Sequence, residues 1–305
     1  MKKVIITGAT GMIGISLIKY LQSKNINILA IIREKSNRKK DIPVDENIRI
    51  IECNLNDLNK LKIQECDYDV FFHFGWDGTF GDERNNIQKQ NNNIIYTCDA
   101  VRLAKSCGCK KFIGAGSQAE YGLVDGIINE STCTKPKTEY GEAKLKAGIE
   151  SKEIADKLGI NHIWTRIFSV YGPYDGEKTM IMTSIRNMLN GIPTNYTKGE
   201  QNWDYLFSED LAKMLYQLGN NNVENTTYCL AYGKTKKLYE YINIIKKCIN
   251  SKIQLNFGAI PYSNNQVMNL NVDISKFISE TGYVPETRFE EGILKTIDWY
   301  KKNML

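Results

Sequence analysis

The chain has 305 residues, 42% of them hydrophobic and 25% charged, with a formal net charge of +5. That composition belongs to a globular protein large enough for one big domain or two lobes, and it excludes the disordered and fibrous classes. No basic run interleaved with aromatics points to nucleic acid, and no stretch reaches the ~20 apolar residues of a membrane span. The first residues carry no signal-peptide pattern, so neither nucleic acid nor membrane is expected as a partner, and the cytoplasm is the expected compartment. Eight scattered cysteines and two histidines, His73 and His162, offer no metal-site spacing. No metal is expected, and the thiols are read as free.

In chain order, Val4, Ile5 and Ile6 read as a short buried strand that runs into "TGATGMIG", residues 7–14. Met12, Ile13, Leu17, Ile18 and Leu21 then recur at helical spacing. Gly8, Gly11 and Gly14 at this strand-to-helix turn let backbone approach a ligand closely, and the helix N-terminus beyond favours an anion. A dinucleotide pyrophosphate fits there. Further buried strands are predicted over 26–32, 48–54, 68–75, 110–117 and 161–170, with helices over 85–106 and 138–158. Strand–helix alternation with near-continuous apolar strands predicts an α/β fold, a Rossmann-type doubly wound parallel sheet covered on both faces. The expected division is a dinucleotide-binding domain over 1–171 and a smaller substrate lobe mainly over 172–305, with 203–232 returning to the first. Ligands in this architecture bind at the carboxyl ends of the strands, where Gly8, Phe74, Gly75 and Ser117 all fall.

Two further patterns carry chemistry. In "YGEAK", Tyr140 and Lys144 are four apart on a helix and share a face. A nearby ammonium favours the phenolate, so such a tyrosine can exchange a proton with a carbonyl or alcohol oxygen as hydride moves at the carbon. In "GSQAEYG", residues 116–122, Ser117 ends an apolar strand where its hydroxyl can meet the same oxygen.

The order of "TGATGMIG", "GSQAEYG", "YGEAK", "RIFSVYGP" and "WDYLFSEDLA" along most of the chain resembles the extended short-chain dehydrogenase/reductases. That group holds nucleotide-sugar epimerases, dehydratases and ketoreductases. The resemblance implies Ser117, Tyr140 and Lys144 as catalytic triad, backbone near Ile167 at the nicotinamide amide, and a homodimer bundled through the helices of Tyr96 and Tyr140. It also implies a sugar carried on a nucleoside diphosphate as substrate. Cofactor contacts are expected from Gly8, Thr10, Gly11, Met12, Ile13 and Gly14, then Arg33, Ser36 and Arg38, then Asn54, Leu55, Phe74 and Gly75, with Tyr140, Lys144 and Ile167.

Departures from the family pattern narrow the reaction. Its 4,6-dehydratases carry Asp-Glu directly after the strand-end serine or threonine. Here Gln118 and Ala119 stand there and Glu120 is displaced, so dehydration is not expected. An NAD enzyme would present an acidic residue near Ile32, whereas Arg33, Ser36 and Arg38 suit a 2′-phosphate. NADP(H) is therefore the expected cofactor and NAD(H), through Glu34, the alternative. Trp203 and Ser263 stand where the family often places phosphate-binding arginines, and Ser169 where it often places asparagine. The expected substrate contacts are Trp76, Thr79, Ser117, Gln118, Ser169 and Trp203, with Asp77 beside them and Lys178 and Lys198 as diphosphate ligands. These observations favour an NADPH-dependent ketoreductase. A 4-epimerase is the alternative enzyme, and a silent cofactor sensor the alternative class.

Overall fold

The computed structural model describes residues 1–263 and 265–305. Its first half alternates β1 (Lys3–Thr7), α1 (Met12–Gln22), β2 (Asn27–Ile32), β3 (Ile48–Glu52), β4 (Val70–His73), α2 (Ile87–Ser106), β5 (Lys111–Ser117), the short β6 (Ile127–Ile128), α3 (Glu139–Leu158) and β7 (Asn161–Ile167). The second half holds β8 (Ser169–Tyr171), α4 (Met180–Leu189), β9 (Thr194–Tyr196), β10 (Asn202–Trp203), β11 (Tyr205–Phe207), α5 (Ser208–Asn220) and β12 (Thr227–Leu230). It closes with β13 (Lys236–Lys237), α6 (Leu238–Ile249), β14 (Leu255–Phe257), β15 (Asn271–Val272), α7 (Ser275–Thr281) and α8 (Phe289–Met304).

Seven strands form a parallel sheet in the order β12-β7-β5-β4-β1-β2-β3. Its apolar strands are buried on both faces because α1 and α5 pack together on one and α2 and α3 on the other. Leu17, Leu21, Leu211, Leu215 and Leu218 belong to the first core, and Ala100, Val101, Ala104 and Ala155 to the second. The strand order reverses between β1 and β4, so the chain leaves a crevice at their carboxyl ends. A third core joins Tyr171, Ile181, Ile185, Phe207, Tyr241, Ile245, Phe289 and Ile293 beyond the sheet.

The expected strand over 161–170 is two strands. It leaves the sheet at Phe168, and β8 pairs with β11 instead. Apolar residues on both sides of that break hide it from the sequence pattern. Of the stretch 203–232, β12 pairs with β7 at the sheet edge and α5 packs on α1, whereas β10 and β11 pair with β13 and β8 outside the main sheet. Among the described residues no helix is long and apolar enough to cross a membrane, and no cluster of His, Cys, Asp and Glu could hold a metal ion. Both histidines are buried, and desolvation drops His73 to about 3 and His162 to about 4. They serve as neutral hydrogen-bonding partners of Thr7 and Ser151.

Candidate active site

At the switch point the turn after β1 meets the end of β4. Gly8 has φ +67°, and a Cβ there would stand 2.6 Å from the Phe74 carbonyl carbon. At Gly14 a Cβ would stand 2.5 Å from the Gly8 carbonyl oxygen and 2.7 Å from Ala9 Cα. Only glycine closes this turn. Gly11 precedes α1 without any side-chain cap, which leaves the first N–H groups of the helix for an anion. Met12, Ile13 and Gly14 carry those groups, and all three line a cleft of about 410 Å³. Gly8, Thr10, Gly11, Arg33, Arg38, Leu55, Phe74, Gly75, Trp76 and Thr79 line it too. An uncapped helix start over a glycine turn, at the end of a cleft of this size, fits a dinucleotide.

The far corner of the cleft is basic. Ser36 Oγ lies 3.4 Å from Thr10 Oγ1, and Arg33 is exposed on the lining. Arg38 is paired with Asp41 at 3.2 Å and donates to the Tyr174 carbonyl at 3.0 Å. Asn54 does not line the cleft. Its side chain accepts the Glu34 N–H at 3.2 Å and so holds the loop after β2, while Glu34 is absent from the lining. The opposite wall, from Tyr174 to Gly176, is not legible in the sequence as a cofactor element. Burial there pushes the Asp175 carboxyl up to about 6, against hydrogen bonds from Thr179 and Gly176 and the charge of Arg38.

Ser117 ends β5, Ile167 ends β7 directly beside it, and α3 brings Tyr140 and Lys144 to the same end of the sheet. The first turn of α3 is fixed by Thr138, whose hydroxyl accepts the Gly141 N–H at 3.1 Å. Lys144 Nζ lies 5.8 Å from the Tyr140 ring centroid, donates to the Ala115 carbonyl at 2.6 Å and sits 3.6 Å from the Trp76 ring centroid. Burial lowers it to about 7. For Tyr140, burial pushes the phenol up while the Ser117 hydroxyl and the Arg84 guanidinium pull it back down. Trp76 also meets Tyr140 edge-on at 6.0 Å, and its Nε1 donates to Gln90 at 2.9 Å.

Glu120 has a different task from a catalytic carboxylate. It is fully buried, accepts the Ser117 N–H at 2.7 Å and the Trp164 indole N–H at 3.0 Å, and pairs with Arg166 at 2.8 Å. Both oxygens are committed to shaping the strand end that carries Ser117. Neither Gln118 nor Ala119 supplies an ionisable group at the positions directly after Ser117.

The remaining substrate candidates separate. Gln118 Oε1 and Trp203 Nε1 are buried and find no hydrogen-bond partner among the described residues. Trp203 bridges two hydrophobic clusters at the edge of the third core. Ser169 starts β8 opposite Tyr205. Asp77 is tied to α2 through Asn93, which accepts its N–H at 2.8 Å, and lies near Lys89. Lys178 and Lys198 are exposed and do not line the cleft. Arg84, whose guanidinium carbon is 4.2 Å from the Tyr140 ring centroid, is a site residue that the sequence pattern does not single out.

A glycine-turn cofactor cleft joined to a Ser–Tyr–Lys constellation at the end of a seven-stranded parallel sheet defines an extended short-chain dehydrogenase/reductase. The NAD dependent epimerase/dehydratase family matches residues 4–231, and the chain belongs to that family. It is an NAD(P)-dependent enzyme of the epimerase/dehydratase type. Among its relatives, CDP-abequose synthase from Salmonella muenchen is 25% identical, with 97% of each chain covered. Among solved structures, UDP-N-acetylglucosamine 4-epimerase from Methanobrevibacter ruminantium M1, in complex with UDP-N-acetylmuramic acid, superposes with a TM-score of 0.90 at 24% identity over 99% of each chain. UDP-glucuronic acid 4-epimerase from Bacillus cereus, in complex with UDP-glucuronic acid and NAD, has a TM-score of 0.85 at 22% identity, covering 98% of this chain and 99% of that one.

Proposed function

We propose that the protein is an NADPH-dependent reductase of a keto-deoxysugar carried on a nucleoside diphosphate, in surface polysaccharide sugar biosynthesis, with Tyr140 as proton donor. The observation that carries this reading is the basic corner of the cleft. Arg33 and Arg38 line the cleft, and Ser36, which like Glu34 lies outside the lining, has its Oγ 3.4 Å from Thr10 Oγ1. Guanidinium groups bind phosphate oxygens through charge-assisted hydrogen bonds, whereas ribose hydroxyls call for a carboxylate. The likeness to a CDP-sugar synthase along nearly the whole of both chains supports a nucleotide-linked sugar.

The bound nicotinamide would supply the hydride. The chain's own residues handle the proton and the geometry. Tyr140 donates its phenolic proton to the substrate oxygen, and Ser117 hydrogen-bonds the same oxygen. Lys144 supplies positive charge on the same helix face, and Glu120 fixes the turn that aims Ser117. A 4-epimerase with retained NAD is the second reading, favoured by the 4-epimerases among the solved relatives.

Binding of both cofactors to the wild type and to Arg33→Ala, followed by calorimetric titration, tests the choice. The expected outcome is a loss of about tenfold to a hundredfold in NADPH affinity, the scale of one charge-assisted hydrogen bond, with NADH barely changed. Equal losses for both cofactors would remove Arg33 as the reader of a 2′-phosphate and make Glu34 the ribose ligand, and NAD that co-purifies and survives gel filtration would replace reduction by epimerisation.

A further inference from the structure

Arg84 lies in the short turn Gly81–Asn85 just before α2. The turn is pinned to that helix, because Gln90 Nε2 donates to the Gly78 carbonyl at 2.8 Å and to the Glu83 carbonyl at 2.9 Å. Arg84 itself donates to the Thr79 carbonyl at 3.4 Å, and its guanidinium carbon stands 4.2 Å from the centroid of the Tyr140 ring. Its charge is not neutralised locally. Lys89 pairs with Glu83 at 2.5 Å and lies 3.7 Å from Asp77. Among the described residues no carboxylate comes within 4 Å of Arg84.

The second cation near Tyr140 is already engaged. Lys144 Nζ lies 5.8 Å from the ring centroid, and its ammonium is held by the Ala115 carbonyl and the Trp76 face. Arginine stays protonated under all working conditions, while an ammonium can lose its charge when buried. The other polar groups facing Tyr140 are the Ser117 hydroxyl from β5 and the Glu120 carboxylate, whose charge opposes phenolate formation. Gln90 and Asn93 on the packed face of α2 are neutral. Glu139 and Glu142, on Tyr140's own helix, are half-buried and exposed respectively.

We propose that Arg84 is a positioning residue for proton transfer. It holds its fixed positive charge against the Tyr140 ring, so that the phenolate left after proton donation is stabilised by Arg84 as well as by Lys144. The proposal rests on the reading of Tyr140 as proton donor. An opposite charge within about 4–6 Å favours the ionised form by one to three pKa units, which sets the expected scale.

The test is an ultraviolet titration of phenolate in the NADP complex, with the same titration of Tyr140→Phe subtracted to isolate Tyr140 among 17 tyrosines. Arg84→Gln is expected to move the Tyr140 step upward by about one unit or more, and Arg84→Lys to restore part of the shift. In turnover, Arg84→Gln should lower kcat and move its pH profile by the same amount, with KM little changed. An unaltered Tyr140 step in Arg84→Gln, or equal shifts in the Gln and Lys variants, would overturn the role of the charge. A rise in KM alone would make Arg84 a substrate ligand and overturn it too. Failure of the underlying reading looks different, since Tyr140→Phe would then retain normal turnover whatever the titration shows.

Discussion

Tyr140 carries the sharpest single-residue consequence. The phenol is pushed toward its protonated form by burial and drawn back by Ser117 and Arg84, which suits the proton donor of the proposed reaction. Tyr140→Phe should lower turnover about a hundredfold or more, the scale of losing a general acid, with cofactor affinity nearly unchanged. Steady-state kinetics on a nucleotide-linked ketosugar together with NADPH titration check both halves, and near-normal turnover would remove Tyr140 from the mechanism. That Ser117, Tyr140 and Lys144 meet at one end of the sheet is legible from a strand end and an i, i+4 pair, while their shared catalytic role is what the family resemblance implies. Arg84 is not legible. Its meaning depends on a stack across two elements and on Lys89 drawing off the neighbouring carboxylates, and neither fact is local in the chain. Glu120 is half legible: its displacement from the dehydratase position shows in the sequence, but its burial against Arg166 and Trp164 does not.

At the level of elements, the turn between β1 and α1 can be read almost completely from its glycines, yet the structure ranks them. Gly14 is the tightest against backbone of its own turn, Gly8 faces the end of β4, and Gly11 has its nearest contact at 3.3 Å, the Gly8 carbonyl oxygen. Gly14→Ala therefore forces the turn open. It should cost about 1–3 kcal/mol of stability, the range for overpacking, and at least tenfold in cofactor affinity. Gly11→Ala should be milder on both counts, because a few tenths of an ångström suffice to relieve it. Thermal unfolding and cofactor titration of the two variants side by side measure the ranking, and equal effects would mean the turn flexes as a unit. The parallel strands of the main sheet are legible for the same local reason, continuous apolar runs bounded by turns. The short pairs β8–β11, β10–β13 and β9–β14 are not, since two or three residues carry no period and their partners lie far along the chain.

The whole molecule raises the question of what covers the outer face of the α2–α3 pair. These two helices make the most extensive helix packing in the fold, yet Ile87 and Ile95 on α2 and Ile149 on α3 remain 59%, 57% and 53% exposed. Ile87, Asn91 and Ile95 follow one another at intervals of four, so they form a stripe along α2, and Leu145 and Ile149 repeat the spacing on α3. Burying one isoleucine is worth roughly 1.5–3 kcal/mol, and a twofold arrangement counts every contact twice. We propose a homodimer through a four-helix bundle of α2 and α3 from each copy, in line with the resemblance carried by the sequence motifs. The cleft lining includes no residue of either helix, and Tyr140, Lys144 and Ile167, expected at the nicotinamide, lie outside it with the first two on the inner face of α3, so assembly and cofactor binding should separate. Light scattering after gel filtration is expected to give a dimer for the wild type and a monomer for the double variant Ile95→Glu/Ile149→Glu, because like charges replace apolar contacts on both copies. The monomer should melt at a lower temperature but bind NADPH with near wild-type affinity. A wild type that stays monomeric at high concentration, or a double variant that stays dimeric, would place the interface elsewhere and leave these isoleucines as ordinary surface residues.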